Sequence, residues 1–195
     1  MKKLIALLLA LTMMMCLVAC GDDKETGIGD KAGLVTPEVE PDAVVEVPGE
    51  TYDAGNVKGL VPDGWKAYPV MDIWSDDPNA TDPDQFNIVL GGETDLDLLT
   101  KASMQIVHYQ PESMMTPSPE FYDGAVTIEP IVAGDLTWEG FSAKDFMDNP
   151  MTIIWTTNAA GHQFQVTLFT KNGDSEYSLT DAAVVAILAS ITNSK

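Results

Sequence analysis

Residues 164–191, FQVTLFTKNGDSEYSLTDAAVVAILASI, join an alternating pattern to a helical one. Phe164, Val166 and Leu168 alternate with polar residues, which predicts a strand with one buried and one solvated face. After the turn KNGD, apolar residues recur at i, i+3, i+4 and i+7, the spacing of one helix face: Val184, Ile187, Leu188 and Ile191. This order predicts a helix that packs on the apolar face of a sheet.

Further strands are predicted upstream, at 57–61, 65–71, 86–90, 102–109, 126–132, 136–146, 151–157 and 162–170. The later connections are short turns, which join antiparallel neighbours but not parallel ones. Pro62-Asp63-Gly64 is a turn signal and predicts a hairpin, since proline presets one dihedral angle and glycine accepts a positive one. We therefore expect an α+β fold, with a twisted antiparallel sheet of about six or seven strands and a C-terminal helix packed on one face.

The N-terminus has the pattern of a signal peptide. Lys2 and Lys3 precede an apolar run over 4–19 that ends at small residues. A transmembrane helix is the alternative, but it needs about 20 apolar residues to cross about 30 Å of hydrocarbon. The run is shorter than that, so residues 1–19 are predicted to be removed.

The four residues Leu17-Val18-Ala19-Cys20 resemble the lipobox of bacterial lipoproteins. The resemblance implies cleavage before Cys20 and acylation of that cysteine. Each buried methylene contributes about 0.8 kcal/mol, so two or three acyl chains would anchor the protein stably in the membrane. The expected location is the extracytoplasmic face of the bacterial cell membrane. Residues 20–50, rich in Gly, Pro and acids, are predicted to form a flexible acidic tether, and 51–195 a single globular domain.

Composition excludes several classes of partner. The chain has a formal net charge of −20, which becomes −22 without Lys2 and Lys3, and it contains no arginine. Nucleic-acid binding requires cations that replace phosphate counterions. Nucleotide binding often uses the guanidinium group of arginine, which holds a phosphate by two hydrogen bonds. We expect neither. Cys16 leaves with the signal peptide and Cys20 is acylated, so no disulfide and no thiol catalysis are expected.

Two motifs resemble the PsbP-like group of α/β domains, which includes a photosystem subunit, a Ran-binding import factor and many lipoproteins of Gram-positive bacteria. They are Pro62-Asp63-Gly64-Trp65, within VPDGWKAYPV, and the helical Ile187-Leu188-Ala189-Ser190-Ile191. The resemblance covers about residues 51–195 and implies a PsbP-like sandwich that binds other proteins, with no shared catalytic residues. One departure is that Pro111, Pro117 and Pro119 leave little room for the mid-chain helix that the group often has.

One acidic stretch is a candidate calcium site. Calcium takes six to eight oxygen ligands in flexible loops. Within the nine positions 76–84, five side chains carry such oxygens: Asp76, Asp77, Asn79, Asp82 and Asp84. The spacing is not that of an EF-hand, and a solvated acidic loop is the alternative. No other cofactor is expected.

Aromatic and methionine side chains form a candidate partner patch. Methionine adapts to varied binding surfaces, and the patch comprises Trp74, Tyr109, Met114, Met115, Phe121 and Tyr122. The alternative is a loop held against the core by these side chains. His108 lies two residues from Ile106, and His162 lies two residues from Phe164, so each histidine is predicted on the same strand face as an apolar residue. This placement favours a histidine at the margin of the core; the alternative is a general base or a metal ligand.

The sequence contains no Gly-x-Ser-x-Gly elbow, no His-Glu-x-x-His motif and no phosphate-binding loop. The expected function is therefore a lipid-anchored binding module for a protein or another component of the cell envelope. The alternative is a cell-wall or glycan hydrolase that uses paired carboxylates.

Overall fold

The computed structural model describes residues 46–194. The predicted signal peptide, Cys20 and most of the predicted tether lie outside these residues. The one α-helix of the described part is α1, Ala182–Ser190, and short 3₁₀ helices span Asp95–Leu99, Pro111–Ser113 and Pro119–Phe121. The strands are β1 Gly49–Asp53, β2 Val57–Pro62, β3 Trp65–Met71, β4 Thr81–Leu90, β5 Ser103–Tyr109, β6 Val126–Thr127, β7 Ile131–Ala133, β8 Leu136–Lys144, β9 Pro150–Thr157, β10 Gln163–Phe169, β11 Lys171–Asn172, β12 Ser175–Glu176 and β13 Thr192–Asn193.

The strands form one large sheet and two small ones. The eight-stranded sheet has the order β3-β4-β5-β10-β9-β8-β6, with β7 also paired to β8. The small sheets are β1-β2-β13 and β11-β12. The strand pairs described are antiparallel. The predicted α+β class is confirmed, and the sheet is larger than the six or seven strands expected.

One face of the large sheet forms the main core. Phe86, Ile106 and Phe164 are fully buried on it, and the same cluster contains Val57 of β2. Helix α1 packs on β2 and β7, and the predicted apolar stripe is confirmed because its side chains are buried in this cluster: Val184, Ile187, Leu188 and Ile191. No helix within residues 46–194 is long and apolar enough to cross a lipid bilayer.

The predicted hairpin at Pro62-Asp63-Gly64 is wrong. A turn is present, with Gly64 at φ 83°, but β2 belongs to the small sheet and β3 to the large one. The backbone groups of the turn bond outside it: Asp63 N–H donates to Pro48 O over 3.0 Å, and Gly64 O accepts from Gly91 N–H over 2.7 Å. The turn is therefore a corner between two sheets.

Three other boundaries differ from prediction. β1 begins at Gly49, inside the segment predicted as tether, because it pairs with β2. β4 begins at Thr81, so Asp82 and Asp84 lie on a strand instead of in a loop. The predicted strand 126–132 is divided into β6 and β7 around Pro130, which has no N–H to donate to a ladder.

Candidate functional site

The second face of the large sheet lies outside the main core. It carries polar side chains on β4, β5 and β10, whereas on β8 and β9 Phe141 and Ile153 are buried in a second, smaller apolar cluster. Directly paired residues share one face of a sheet, and the register aligns two rows across five strands. One row is Gln85, Val107, Gln165, Trp155 and Glu139, and the other is Asn87, Gln105, Thr167, Ile153 and Phe141. We call the surface formed by these two rows the open face.

The amides of the open face are accessible. Asn87, Gln105 and Gln165 are half-buried, and their side chains make no hydrogen bond to the other residues of the described part. None of their polar atoms belongs to the buried atoms of residues 46–194 that lack a partner, so these atoms reach solvent. Gln85 differs, because its Nε2 donates to Asp82 Oδ2 over 2.6 Å. The face therefore presents unpaired donors and acceptors.

Two loops border the open face. At one end Gly92 lies on the sheet, where a Cβ would approach Tyr68 Oη to 3.0 Å and Val89 Cβ to 3.1 Å. At the other end the segment 110–125 crosses the sheet, and Met115 N–H donates to Gln163 Oε1 over 2.9 Å. Loops therefore border the open face at both ends of its strands.

Aromatic side chains lie close together on β8 and β9, toward one edge of the open face. The Phe141 and Trp155 ring centroids are 6.2 Å apart, and Tyr122 packs 5.2 Å from Phe141. A groove of about 710 Å³ is lined here by Trp155 together with 116–119, 127–130 and 139–141.

A neighbouring cavity of about 700 Å³ is lined by Phe121, Tyr122, Phe146, Met151 and Phe169, among others. Phe121 is 85% exposed and Phe146 is 95% exposed. Tyr122, Met151 and Phe169 belong to the apolar cluster of Phe141, so this cavity extends the same side of the sheet.

The predicted partner patch is assembled in part. Five of its residues lie at or within the segment that borders the open face: Tyr109, Met114, Met115, Phe121 and Tyr122. Burial raises the pKa of the Tyr109 phenol, and the neighbouring Tyr122 raises it further. Trp74 is 89% exposed in the β3–β4 connection, at the other edge of the sheet.

The predicted calcium ligands are divided between a loop and a strand. Asp76, Asp77 and Asn79 lie in the β3–β4 connection, and Asp77 Oδ1 accepts from Asn79 N–H over 2.9 Å. Asp82 Oδ1 accepts from Asp84 N–H over 2.9 Å. Within residues 46–194 no group of three or more His, Cys, Asp or Glu side chains is placed to hold a metal ion. Calcium binding stays a prediction without a geometric basis.

Asp84, His108 and His162 form a hydrogen-bonded chain that the sequence patterns did not predict. His108 Nδ1 is 2.7 Å from Asp84 Oδ1, and His108 Nε2 is 2.9 Å from His162 Nδ1. A carboxylate only accepts, so His108 Nδ1–H donates to Asp84, and the second hydrogen bond joins the two imidazole rings. The only indication in the sequence was the alternation of β5: His108 lies two residues after Ile106 and so on the same buried face of the strand.

This chain has the geometry of a positioned imidazole but lies away from the cavities of the open face, neither of which includes a histidine. Its other contacts are structural. Asn56 Nδ2 donates to Asp84 Oδ2 over 3.1 Å, and the His108 ring stacks on Phe164 with centroids 5.5 Å apart. The chain therefore joins β4, β5 and β10 to the start of β2.

Comparison of the chain with known protein families and with curated proteins found no match.

Proposed function

We propose that this protein is a lipid-anchored binding protein on the extracytoplasmic face of a bacterial cell membrane. Its folded domain binds a protein or another envelope component through the open face. The observation that carries the proposal is the difference between the two faces of one sheet. The first is filled by the main apolar core, whereas the second leaves the amides of β4, β5 and β10 and the half-buried Trp155 in contact with solvent beside a smaller buried cluster.

Anchoring is supported by Leu17-Val18-Ala19-Cys20, with acyl chains on Cys20 that hold the domain at the membrane. We also propose that the domain is PsbP-like. The support is the Pro62-Asp63-Gly64-Trp65 motif, the antiparallel sheet and the C-terminal helix α1. Exposed aromatic groups such as Phe121 and Phe146 are typical of interaction surfaces.

Binding is favoured over hydrolysis by the two carboxylates of the Trp155 groove. Glycoside hydrolysis needs a pair of carboxyl groups in which the environment keeps one protonated as the general acid. Glu129 and Glu139 both line the groove, and both are exposed to solvent. The two groups therefore share one kind of environment, whereas a general acid and its partner base need two different ones.

Two experiments test the proposal. Cys20→Ala should move the protein from the membrane fraction to the supernatant, and a variant that still sediments with membranes would contradict the anchor. A photoreactive residue at position 105 or 165 of the full chain, expressed in cells, should give adducts of raised mass. The same residue at position 79, an exposed loop site, is the control. Equal labelling from all three positions would contradict binding through the open face.

A further inference from the structure

We infer that the open face binds an uncharged glycan chain. This inference rests on the proposed function and names the class of ligand for the same surface. It depends on the charge, the hydrogen-bonding groups and the shape of the two rows of side chains.

The part of the open face on β4, β5 and β10 is an uncharged strip on an acidic protein. The chain has a formal net charge of −20, yet the part of the face on β4, β5 and β10 carries only neutral side chains: Gln85, Asn87, Val107, Gln105, Gln165 and Thr167. Glu139 is the one charged residue of the two rows and lies at their end. An anionic ligand would find no cation in the rows, and a cationic ligand would find carboxylates more readily elsewhere. The charge pattern therefore favours an uncharged ligand.

The polar groups of the face suit a ligand rich in hydroxyl groups. Each carboxamide offers two N–H donors and one carbonyl acceptor, and each hydroxyl both donates and accepts. Asn87, Gln105 and Gln165 have these groups unpaired within the described residues and open to solvent. Sugar hydroxyl and acetamido groups would pair with them without leaving a buried charge.

Trp155 supplies a flat apolar surface next to the amides. It is the direct cross-strand neighbour of Gln165 and is half-buried. The fully buried Phe141 supports it from the adjacent strand, with ring centroids 6.2 Å apart. Ligand sites combine aromatic walls with a few placed polar groups, and a sugar ring has an apolar face and polar edges. The rows and Trp155 match both parts of such a ring.

The shape of the face favours an extended chain of sugars over a peptide. Five strands spaced about 4.8 Å apart make the rows roughly 19 Å long, and the two rows lie about 7 Å apart. An extended peptide binds at a sheet edge, where backbone groups are free, and a helix binds in an apolar groove. The middle of a sheet face offers only side chains, and on β4, β5 and β10 four of the six in the two rows are amides.

Isothermal titration of the full chain in detergent tests the inference, with three probes: chito-oligosaccharide, cello-oligosaccharide and the anionic oligogalacturonate. We expect at least one of the two uncharged glycans to bind and oligogalacturonate not to bind. The double variant Gln105→Leu/Gln165→Leu should weaken binding by about tenfold or more, since each lost hydrogen bond leaves a sugar hydroxyl unpaired. Trp155→Ala should weaken it similarly, and Trp155→Phe should retain most of the affinity. Asn79→Leu, an exposed amide outside the face, is the matched control.

The inference is overturned if neither uncharged glycan binds, or if the open-face variants bind as tightly as the control. Photo-crosslinking separates this failure from that of the proposed function. Adducts with a protein from positions 105 and 165, without glycan binding, would leave a binding surface with a protein partner. Absence of both glycan binding and adducts would remove the binding function as well.

Discussion

His108 is a polar residue in an otherwise apolar row. It follows Met104 and Ile106 on the buried face of β5 and is only 3% exposed. A buried imidazole is costly unless its ring nitrogens are hydrogen-bonded. Asp84 and His162 supply those two bonds. The hydrogen bonds among the three side chains therefore offset the cost of burying His108 in the core.

His108→Ala should lower the free energy of unfolding by about 3 kcal/mol, because it leaves a cavity beside Phe164 and removes two hydrogen bonds. His162→Ala should cost about 1 kcal/mol, since His162 is only half-buried and water replaces its partner. Urea unfolding of both variants measures the difference. Equal losses would show that the two rings do not differ in this way.

Tyr177 makes the fold sensitive to alkaline pH. Its hydroxyl donates to the buried Ser103 carbonyl over 2.8 Å, and burial raises the pKa of the phenol well above its usual value of 10.0. The folded state holds the neutral phenol, whereas the unfolded state ionises near 10.0. This contribution to stability is therefore complete below pH 10.0 and is lost as pH rises above that value.

Tyr177→Phe should cost about 1–3 kcal/mol at neutral pH, because the Ser103 carbonyl is left without its partner. The variant should also lose less stability than the original chain when the pH is raised above 10.0. Urea unfolding at neutral and alkaline pH gives both quantities. Parallel losses in the two proteins would assign the alkaline sensitivity to other groups.

The secondary-structure elements that could be predicted are those whose own residues determine them. The alternation in 163–169 gives strand β10, and the spacing of Val184, Ile187 and Leu188 gives the buried face of α1. β1 and β13 could not be predicted in this way, because they are exposed or very short and exist by pairing with β2. The corner at Gly64 was missed for the same reason, since its hydrogen bonds go to distant residues.

The open face, likewise, could be predicted only in part from local pattern. Alternation predicted that Gln163, Gln165 and Thr167 face solvent, but Gln163 is only 2% exposed because the segment 110–125 covers it. Gln165 and Thr167 are half-buried. Their alignment with Asn87 and Gln105 depends on strand order and register, which bring together residues up to 80 positions apart in the chain. Trp155 lies within a predicted strand, and only the register places its ring beside Gln165. A site made from one side chain per strand leaves no motif in the sequence.

Strand β8 tests the packing of the large sheet. Gly140 faces the core opposite Ile154, and a Cβ there would collide with the Ile153 carbonyl oxygen and lie 2.8 Å from Ile154 Cγ2. Gly140→Ala should therefore lower the free energy of unfolding by about 1–3 kcal/mol, as overpacking does. Glu139→Ala, on the exposed face of the same strand, should change it by less than about 0.5 kcal/mol. Similar values from chemical denaturation would mean that the β8–β9 pair adjusts without strain.

The charge of the whole molecule sets its response to salt. Acidic residues outnumber lysines three to one, thirty against ten, so most carboxylates have no cation available to them. Mutual repulsion of like charges destabilises a compact state. Salt shortens the range of that repulsion from about 30 Å at 0.01 M to about 10 Å at 0.1 M ionic strength.

We therefore expect potassium chloride to stabilise the folded domain, with a gain on the order of 1 kcal/mol between these two ionic strengths, comparable to a strong exposed ion pair. Urea is the suitable denaturant because it is uncharged, whereas guanidinium chloride would itself screen the carboxylates. The Gly140→Ala variant serves as a control, since it changes packing without changing charge and should gain the same amount. An unfolding midpoint that falls with added salt would mean that favourable ion pairs such as Lys144–Asp148, with atoms 2.9 Å apart, outweigh the repulsion.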